Sequence, residues 1–233
     1  LQNQELNELI NDVAACLGST CFYQEEHWSY WKEDKYFHLD NGYRKDRFRL
    51  PNLLGEHQIQ NAAQAITCLD TSRVHNFKTD EINEGLRKVE WSGRLQRLRH
   101  GPIFEFLPSE WEIWLDGGHN IGSAEVLMGQ FSKWQDKPLC GIFGMLGQKE
   151  PEAIIHKIGG YFDFVSTVSI QNSSNTYSAI DLSGFFNQKG VPSKPVDSIK
   201  DGIKEIVRAS NIPSRIIIMG SLSLVGIILE EHG

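Results

Sequence analysis

Trp114–Gly122 reads WLDGGHNIG: an apolar run meets an acid, two glycines, an imidazole and an amide, and a helix-like pattern begins at once. Glycines let a ligand approach the backbone, and a new helix offers unpaired N–H groups and the positive end of its dipole. Asp116 is placed to accept hydrogen bonds from ribose-like hydroxyls, and His119 and Asn120 can donate to a phosphate. A tight turn in which Asn120 or Ser123 merely caps the helix accounts for the same spacing. GGHNIG is not G-x-G-x-x-G, and no acid follows a second strand at ribose-binding distance, which argues against a dinucleotide site.

Other residues could do related chemistry. Arg94, in EWSGRLQRL, is followed by Arg97 and Arg99. An arginine forks two donors onto a phosphate, and a surface arginine near a domain junction reads the same way. In LPNLLGEHQIQNAAQAITCL, His57, Asn61 and Gln64 share one helix face, and an amide there can match the donor and acceptor of an adenine edge. A solvated polar face is the simpler account of that trio. RIIIMGSLSLVG and FGMLGQKEPE are two more strand ends that open onto a helix, where Ser221 is a ligand contact or a helix cap.

These residues need elements to position them. Glu5 to Leu17 has helical spacing of Leu6, Leu9, Ile10, Val13 and Ala14. TCFYQ is a short strand candidate. HWSYWKEDKYFHLDNGYRKDRFRL carries an Asn-Gly turn and reads as a hairpin or meander. Its six Lys or Arg residues alternate with aromatics, but four acids dilute them, so a solvated hairpin is favoured over a nucleic-acid surface. Ile59, Ala62, Ala63, Ile66 and Leu69 form one apolar stripe. A shorter helix follows, with Thr79 as N-cap and Asp80 and Glu81 in its first turn.

Beyond Trp91 strands and helices alternate. Strands are expected at 112–115, 139–145, 164–170 and 215–219, and helices at 123–134, 151–158, 179–188, 198–209 and 222–230. That alternation implies βαβ units and a mostly parallel sheet covered on both faces. The fold class is therefore α/β, with a boundary near residue 90.

The bulk composition bounds the function. The 233 residues carry a net charge of -7, against a nucleic-acid or anionic-membrane footprint. Neither a membrane span nor a signal sequence is legible, so the cytoplasm is expected. Cys16, Cys21, Cys68 and Cys140 form no C-x-x-C pair and are expected to be reduced.

Taken in order, LLGEHQIQNAAQAI, WSGRLQRL, WLDGGHNIGSAEVL, GIFGMLGQKE and RIIIMGSLSLVG resemble the folylpolyglutamate synthase/dihydrofolate synthase family of the Mur ligase superfamily. The resemblance spans nearly the whole chain. It implies an ATP-dependent amide ligase that adds L-glutamate to a folate or dihydropteroate carboxylate through an acyl phosphate. It implies the end of a P-loop ATPase domain at residues 1–90, then a Rossmann-like C-terminal domain at residues 91–233. ATP would lie in the cleft between the domains. Asn61 and His57 would then serve the adenine side of ATP, Arg94 its phosphates and Asp116 its ribose. His119 would stand close to the same site as the catalytic candidate. A monomeric full-length protein is expected.

The departures are specific. G-x-x-G-K-[ST] is absent, and with it the backbone nest and lysine that cradle β- and γ-phosphates. No metal ligand is assigned within this chain; the residues that hold Mg²⁺ are expected in the missing N-terminal part. Ile121 stands where proline is usual, Ser92 where proline often precedes Gly-Arg, and Ser223 where tyrosine is common. The chain, which opens on Leu1, is thus expected to be the C-terminal part of a ligase and inactive alone. A non-catalytic nucleotide-binding module and a peptidoglycan amino-acid ligase are the alternatives; HQIQN in place of an HNxxN-like string argues against the second.

Overall fold

The computed structural model describes residues 4–171 and 175–232. It divides into two compact units, one of the chain up to Asn52 with His57–Val89, the other of Leu53–Glu56 with the chain from Glu90 onward.

The first unit holds α1 (Gln4–Cys16), the strands β1 (Ser29–Glu33), β2 (Tyr36–Asp40) and β3 (Lys45–Arg49), then α2 (His57–Ser72) and α3 (Thr79–Lys88). The strands form an antiparallel meander in the order β1-β2-β3. Its second turn is the Asn-Gly pair. Gly42 has φ 75°, and Asn41 accepts the N–H groups of Tyr43 and Arg44 on Oδ1. Phe37, Leu39 and Phe48 point inward onto Ile59, Ala62, Ala63 and Ile66 of α2. Outside, the rings of Trp31 and His38 stack at 4.8 Å and the Arg47 guanidinium covers Tyr36.

Three expectations fail here. TCFYQ forms no strand, only an isolated bridge from Gln24 to Trp28, because the segment turns back on itself through Glu25 at φ 68°. Leu69 leaves the stripe and is 40% exposed. Thr79 does not cap α3. Lys78 takes that place with its N–H donating to Glu81 Oε2, while the Thr79 hydroxyl donates to Asp46.

The second unit is a six-stranded sheet in the order β4-β5-β9-β6-β7-β8. Its strands are β4 (Gln96–Leu98), β5 (Glu112–Asp116), β6 (Leu139–Phe143), β7 (Phe164–Val168), β8 (Ser193–Val196) and β9 (Arg215–Met219). Only β4 runs antiparallel. The helices are α4 (Ile121–Phe131), α5 (Pro151–Ile158), α6 (Ala179–Gln188), α7 (Ile199–Ala209) and α8 (Leu222–His232). Side chains alternate across β9. Ile217 and Met219 join the core of α4, α5 and α6, and Ile216 and Ile218 that of α7 and α8. Burying each of these isoleucines is worth about 1.5–3 kcal/mol, so the central strand is the sheet's anchor. Ser178 and Ser198 cap α6 and α7 by accepting the N–H groups of Asp181 and Asp201.

Sequence patterning misses β4 and β8. Both are edge strands; β4 has three residues, and β8 carries an exposed Lys194 and Pro195. All four cysteines are free, and burial pushes the Cys140 thiol up to about 12. Among the described residues no helix is long and apolar enough to cross a membrane.

Candidate functional site

β5 is buried at all five positions and ends on Asp116, itself 6% exposed. A carboxylate so placed must be hydrogen-bonded. Its Oδ1 accepts the N–H of Gly118 at 2.7 Å and its Oδ2 the N–H of Leu95 at 3.0 Å. Asp116 thus ties the turn after β5 to the segment that precedes β4. The Gly117 N–H donates to the Gly93 carbonyl at 2.8 Å and closes the same junction. Gly93 and Leu95 have φ of 69° and 43°, so the chain between them makes a left-handed turn. A methyl on Gly93 would lie 2.6 Å from Val225, a reason for glycine there.

That turn aims Arg94. A methyl on Gly117 would sit 3.5 Å from Arg94 Nη1, so the guanidinium lies over the glycine turn. Arg94 is half-buried, 6.0 Å from the Trp91 ring, and has no carboxylate partner among the described residues. A partly desolvated guanidinium without a counter-charge favours an anion.

The start of α4 supplies the other half. Asn120 is the N-cap: its Oδ1 accepts the Ser123 N–H at 2.8 Å, and its own N–H donates to Ser123 Oγ at 3.1 Å. Asn120 is thus the helix cap, and Ser123, in the first turn, closes the capping box. The first-turn N–H groups of Ile121 and Gly122 remain open, as at any helix start. His119 Nδ1 lies 3.0 Å from the Gly117 carbonyl. A carbonyl only accepts, so Nδ1 carries the proton and Nε2 is left as the outward nitrogen. A methyl on Gly118 would meet Asp116 Oδ1 at 2.7 Å and Ser123 Oγ at 2.9 Å, so the turn admits no side chain there.

The other strand ends lie in the same row. Asp116 pairs with Met219, and Met219 with Phe143. The Gly144 N–H donates to the Met219 carbonyl at 3.2 Å. Gly220 has φ 109°, and a methyl on it would be 2.7 Å from the Gly144 oxygen, so two strand ends meet backbone to backbone. Ser221 is buried beside them, its carbonyl accepting the Val225 N–H of α8.

Arg94, Asp116 and His119 are therefore brought together in the second unit. His57 and Asn61 belong to the first unit, where the Asn61 amide donates to Gln58 Oε1 at 3.1 Å and Gln58 Nε2 bonds His57 Nε2 at 2.9 Å. Gln58, which patterning overlooks, is the buried link between them. Arg97 is not at the site. It reaches Glu112, at the other end of β5. Among the described residues no group of His, Cys, Asp or Glu side chains could hold a metal ion.

No family model matches the chain. It is 26% identical over 187 residues to the folylpolyglutamate synthase of Lacticaseibacillus casei, across 76% of this chain and 39% of that protein. It is 31% identical over 130 residues to the dihydrofolate synthase/folylpolyglutamate synthase of Bacillus subtilis, across 48% of this chain and 27% of that protein. The bifunctional folylpolyglutamate synthase/dihydrofolate synthase of Yersinia pestis, solved with AMPPNP and a Mn ion, superposes with a TM-score of 0.76 at 20% identity, over 96% of this chain and 50% of its own. The chain spans half or less of the length of each of these proteins. The structural likeness extends to the fold of both units.

Proposed function

We propose, from the premise that this chain belongs to the folylpolyglutamate synthase/dihydrofolate synthase family of the Mur ligases, that it is the C-terminal part of an ATP-dependent ligase. That ligase joins L-glutamate to a folate or dihydropteroate carboxylate. Residues 1–90 are read as the end of its ATPase domain and residues 91–233 as its C-terminal domain.

The observation that carries the reading is Arg94. It is a half-buried cation without a carboxylate partner among the described residues, held over a glycine turn beside open helix N–H groups. Such a site takes phosphate oxygens. In the proposed reaction the substrate carboxylate attacks the γ-phosphorus of ATP, and ADP leaves. The amino group of glutamate adds to the acyl phosphate, a proton is lost from nitrogen, and the tetrahedral intermediate expels phosphate. Arg94 and the α4 amides offset charge on the phosphates. Asp116 fixes the turn and is assigned to the ribose edge. His119 stands by with Nε2 as acceptor, and His57 and Asn61 are assigned to the adenine end. Mg²⁺ would supply further charge neutralisation. The residues of this chain do not fit it, so its ligands are assigned to the part of the enzyme outside the chain, and no step here runs through the metal.

The α1 helix supports the same reading. Leu6, Leu9 and Val13 form a stripe that is 44–59% exposed, and Leu17, just beyond, is 74% exposed. An apolar helix face of this kind is normally covered, and we assign it to the remainder of the ATPase domain. A non-catalytic nucleotide-binding module is the second reading, since Arg94 and the glycine turn could hold phosphates without carrying out a reaction.

Two assays test the proposal. The purified chain, given ATP, Mg²⁺, a folate and glutamate, is expected to form no glutamate-dependent ADP, because it lacks the phosphate nest. Sustained glutamate addition would end the claim that it is inactive alone. Fused behind the N-terminal part of the Lacticaseibacillus relative, in place of that protein's own C-terminal part, the chain is expected to restore glutamate-dependent ADP formation. Arg94→Ala in the fusion is expected to slow it by about 100-fold. A folded fusion without glutamate dependence would sink the ligase reading in favour of the module.

A further inference from the structure

A cavity opens along the helices α5 and α6 of the second unit, with one end at Ile121 beside the glycine turn. Its volume is about 670 Å³, enough for a ligand of a few linked residues. Ile121, two residues past His119, forms one wall. The others come from the loop after β6, α5 along its whole length, Tyr177 after β7, and the end of α6. Ile121, Lys149 and Tyr177 lie at the carboxyl edge of the sheet, where open α/β folds place ligands, and the cavity runs from there between α5 and α6 to Lys189 at the end of α6.

The lining alternates charge with apolar surface. Lys149, Lys157, Lys189 and His156 all face the cavity. Lys157 is held by Glu125 at 2.7 Å, whereas Lys149 and Lys189 have no carboxylate partner among the described residues. Lys149 is also half-buried, which costs solvation that an anion would restore. The Tyr177 hydroxyl donates to the Lys149 carbonyl at 3.1 Å and fixes the loop that carries this lysine. Tyr177 and Phe185 meet edge to face at 6.3 Å, both half-buried, and give the cavity an apolar wall. Glu150 and Glu152 also line it, but both are exposed and neither pairs with the lysines. Free cations beside an aromatic wall suit a ligand that repeats carboxylates along short methylene spacers.

We propose that this cavity binds the γ-linked oligoglutamate tail of a substrate or product, with Lys149 and Lys189 on its carboxylates and Tyr177 and Phe185 on its methylenes. The proposal rests on the ligase reading for the identity of the ligand. It assigns the tail a place of its own, next to the turn where phosphates are held, so that a lengthening chain is retained between additions.

The test is a titration of the isotopically labelled chain with free γ-linked triglutamate, read by backbone amide shifts. Saturable shifts are expected from Lys149 to His156 and from Tyr177 to Phe185. The double variant Lys149→Gln, Lys189→Gln is expected to bind about tenfold more weakly while keeping the wild-type thermal midpoint. Free glutamate, with fewer carboxylates, is expected to bind about tenfold more weakly than the trimer. No saturation, trimer affinity unchanged in the folded variant, or equal affinity for free glutamate would each overturn the proposal. ADP added to the same sample separates the two readings. Shifts at Gly117–Ser123 with no response to triglutamate would remove the tail site alone. Triglutamate binding with no response to ADP would leave the tail site and remove the nucleotide reading.

Discussion

Asp116→Asn is expected to lower the free energy of unfolding by about 3 kcal/mol. The carboxylate accepts two backbone N–H groups, from Gly118 and from Leu95, one on each oxygen, and is 6% exposed. An amide of the same shape can accept only one of them and turns an NH₂ group toward the other. Two charge-assisted bonds become one neutral bond and one donor–donor contact, in a place water does not reach. The substitution also frees the left-handed turn that aims Arg94. Nucleotide affinity is therefore expected to fall even if the ribose is never touched by this residue. Chemical denaturation measures the first effect; a loss below about 1 kcal/mol would show that the two backbone bonds are not the tether described here.

The second large effect lies at the opposite end of the same strand. Arg215→Ala is expected to cost about 2–3 kcal/mol. Glu112 and Arg215 are register partners at the starts of β5 and β9. Arg215 Nε donates to Glu112 Oε2 at 2.9 Å, its two Nη atoms reach the carboxylate of Asp136 at 3.2 Å, and its guanidinium lies 4.5 Å from the Trp134 ring centre. Lys137 and the Trp114 indole also donate to Glu112. Removing the arginine takes one charged partner from a buried carboxylate, with Arg97, Lys137 and the Trp114 indole remaining, and leaves Asp136 and the Trp134 ring without theirs. Replacing both residues, Glu112→Leu with Arg215→Met, is expected to recover most of the loss, because the desolvation of both charges is removed together.

The same network sets an acid limit. Burial alone would raise the Glu112 carboxyl, but hydrogen bonds from Trp114, Arg215 and Lys137 more than offset it and hold the group down at about 2. A depressed carboxyl stabilises the fold above its ordinary value of 4.5, and that contribution is lost as pH falls from there toward 2. Unfolding midpoints are expected to drop through this window. In Arg215→Ala the window narrows, since the carboxyl is no longer held so low. A midpoint that is flat from pH 5 to pH 2.5 would contradict this assignment.

What the sequence made legible was the buried scaffold and the order of its site motifs. Arg215–Met219 and Pro151–Ile158 are read to the residue because an apolar strand and a Pro-started helix leave few alternatives. β4 and β8 escape because edge strands are polar and short, and their identity lies in pairing. The candidate residues Arg94, Asp116 and His119 are legible as motifs, and they meet around the turn that follows β5. Their division of labour is not. Nothing in the spacing tells that Asp116 reaches back 21 residues to the Leu95 N–H, or that Leu95 adopts a left-handed turn without being glycine. Arg97 looks like a companion of Arg94 in sequence. Strand β4 runs antiparallel to β5, with Arg97 opposite Trp114, and the Arg97 side chain goes to Glu112 instead.

The central claim is that the turn from Asp116 to Ser123 and Arg94 hold nucleotide phosphates. It is tested most directly by titrating the labelled chain with ADP and with adenosine and following the backbone amides. The account predicts millimolar-range, saturable shifts with ADP at Gly117 to Ser123 and around Arg94. It predicts none there with adenosine, and an affinity about tenfold lower in Arg94→Ala. Equal responses to ADP and adenosine, or ADP shifts that avoid this turn or survive Arg94→Ala unchanged, would contradict it.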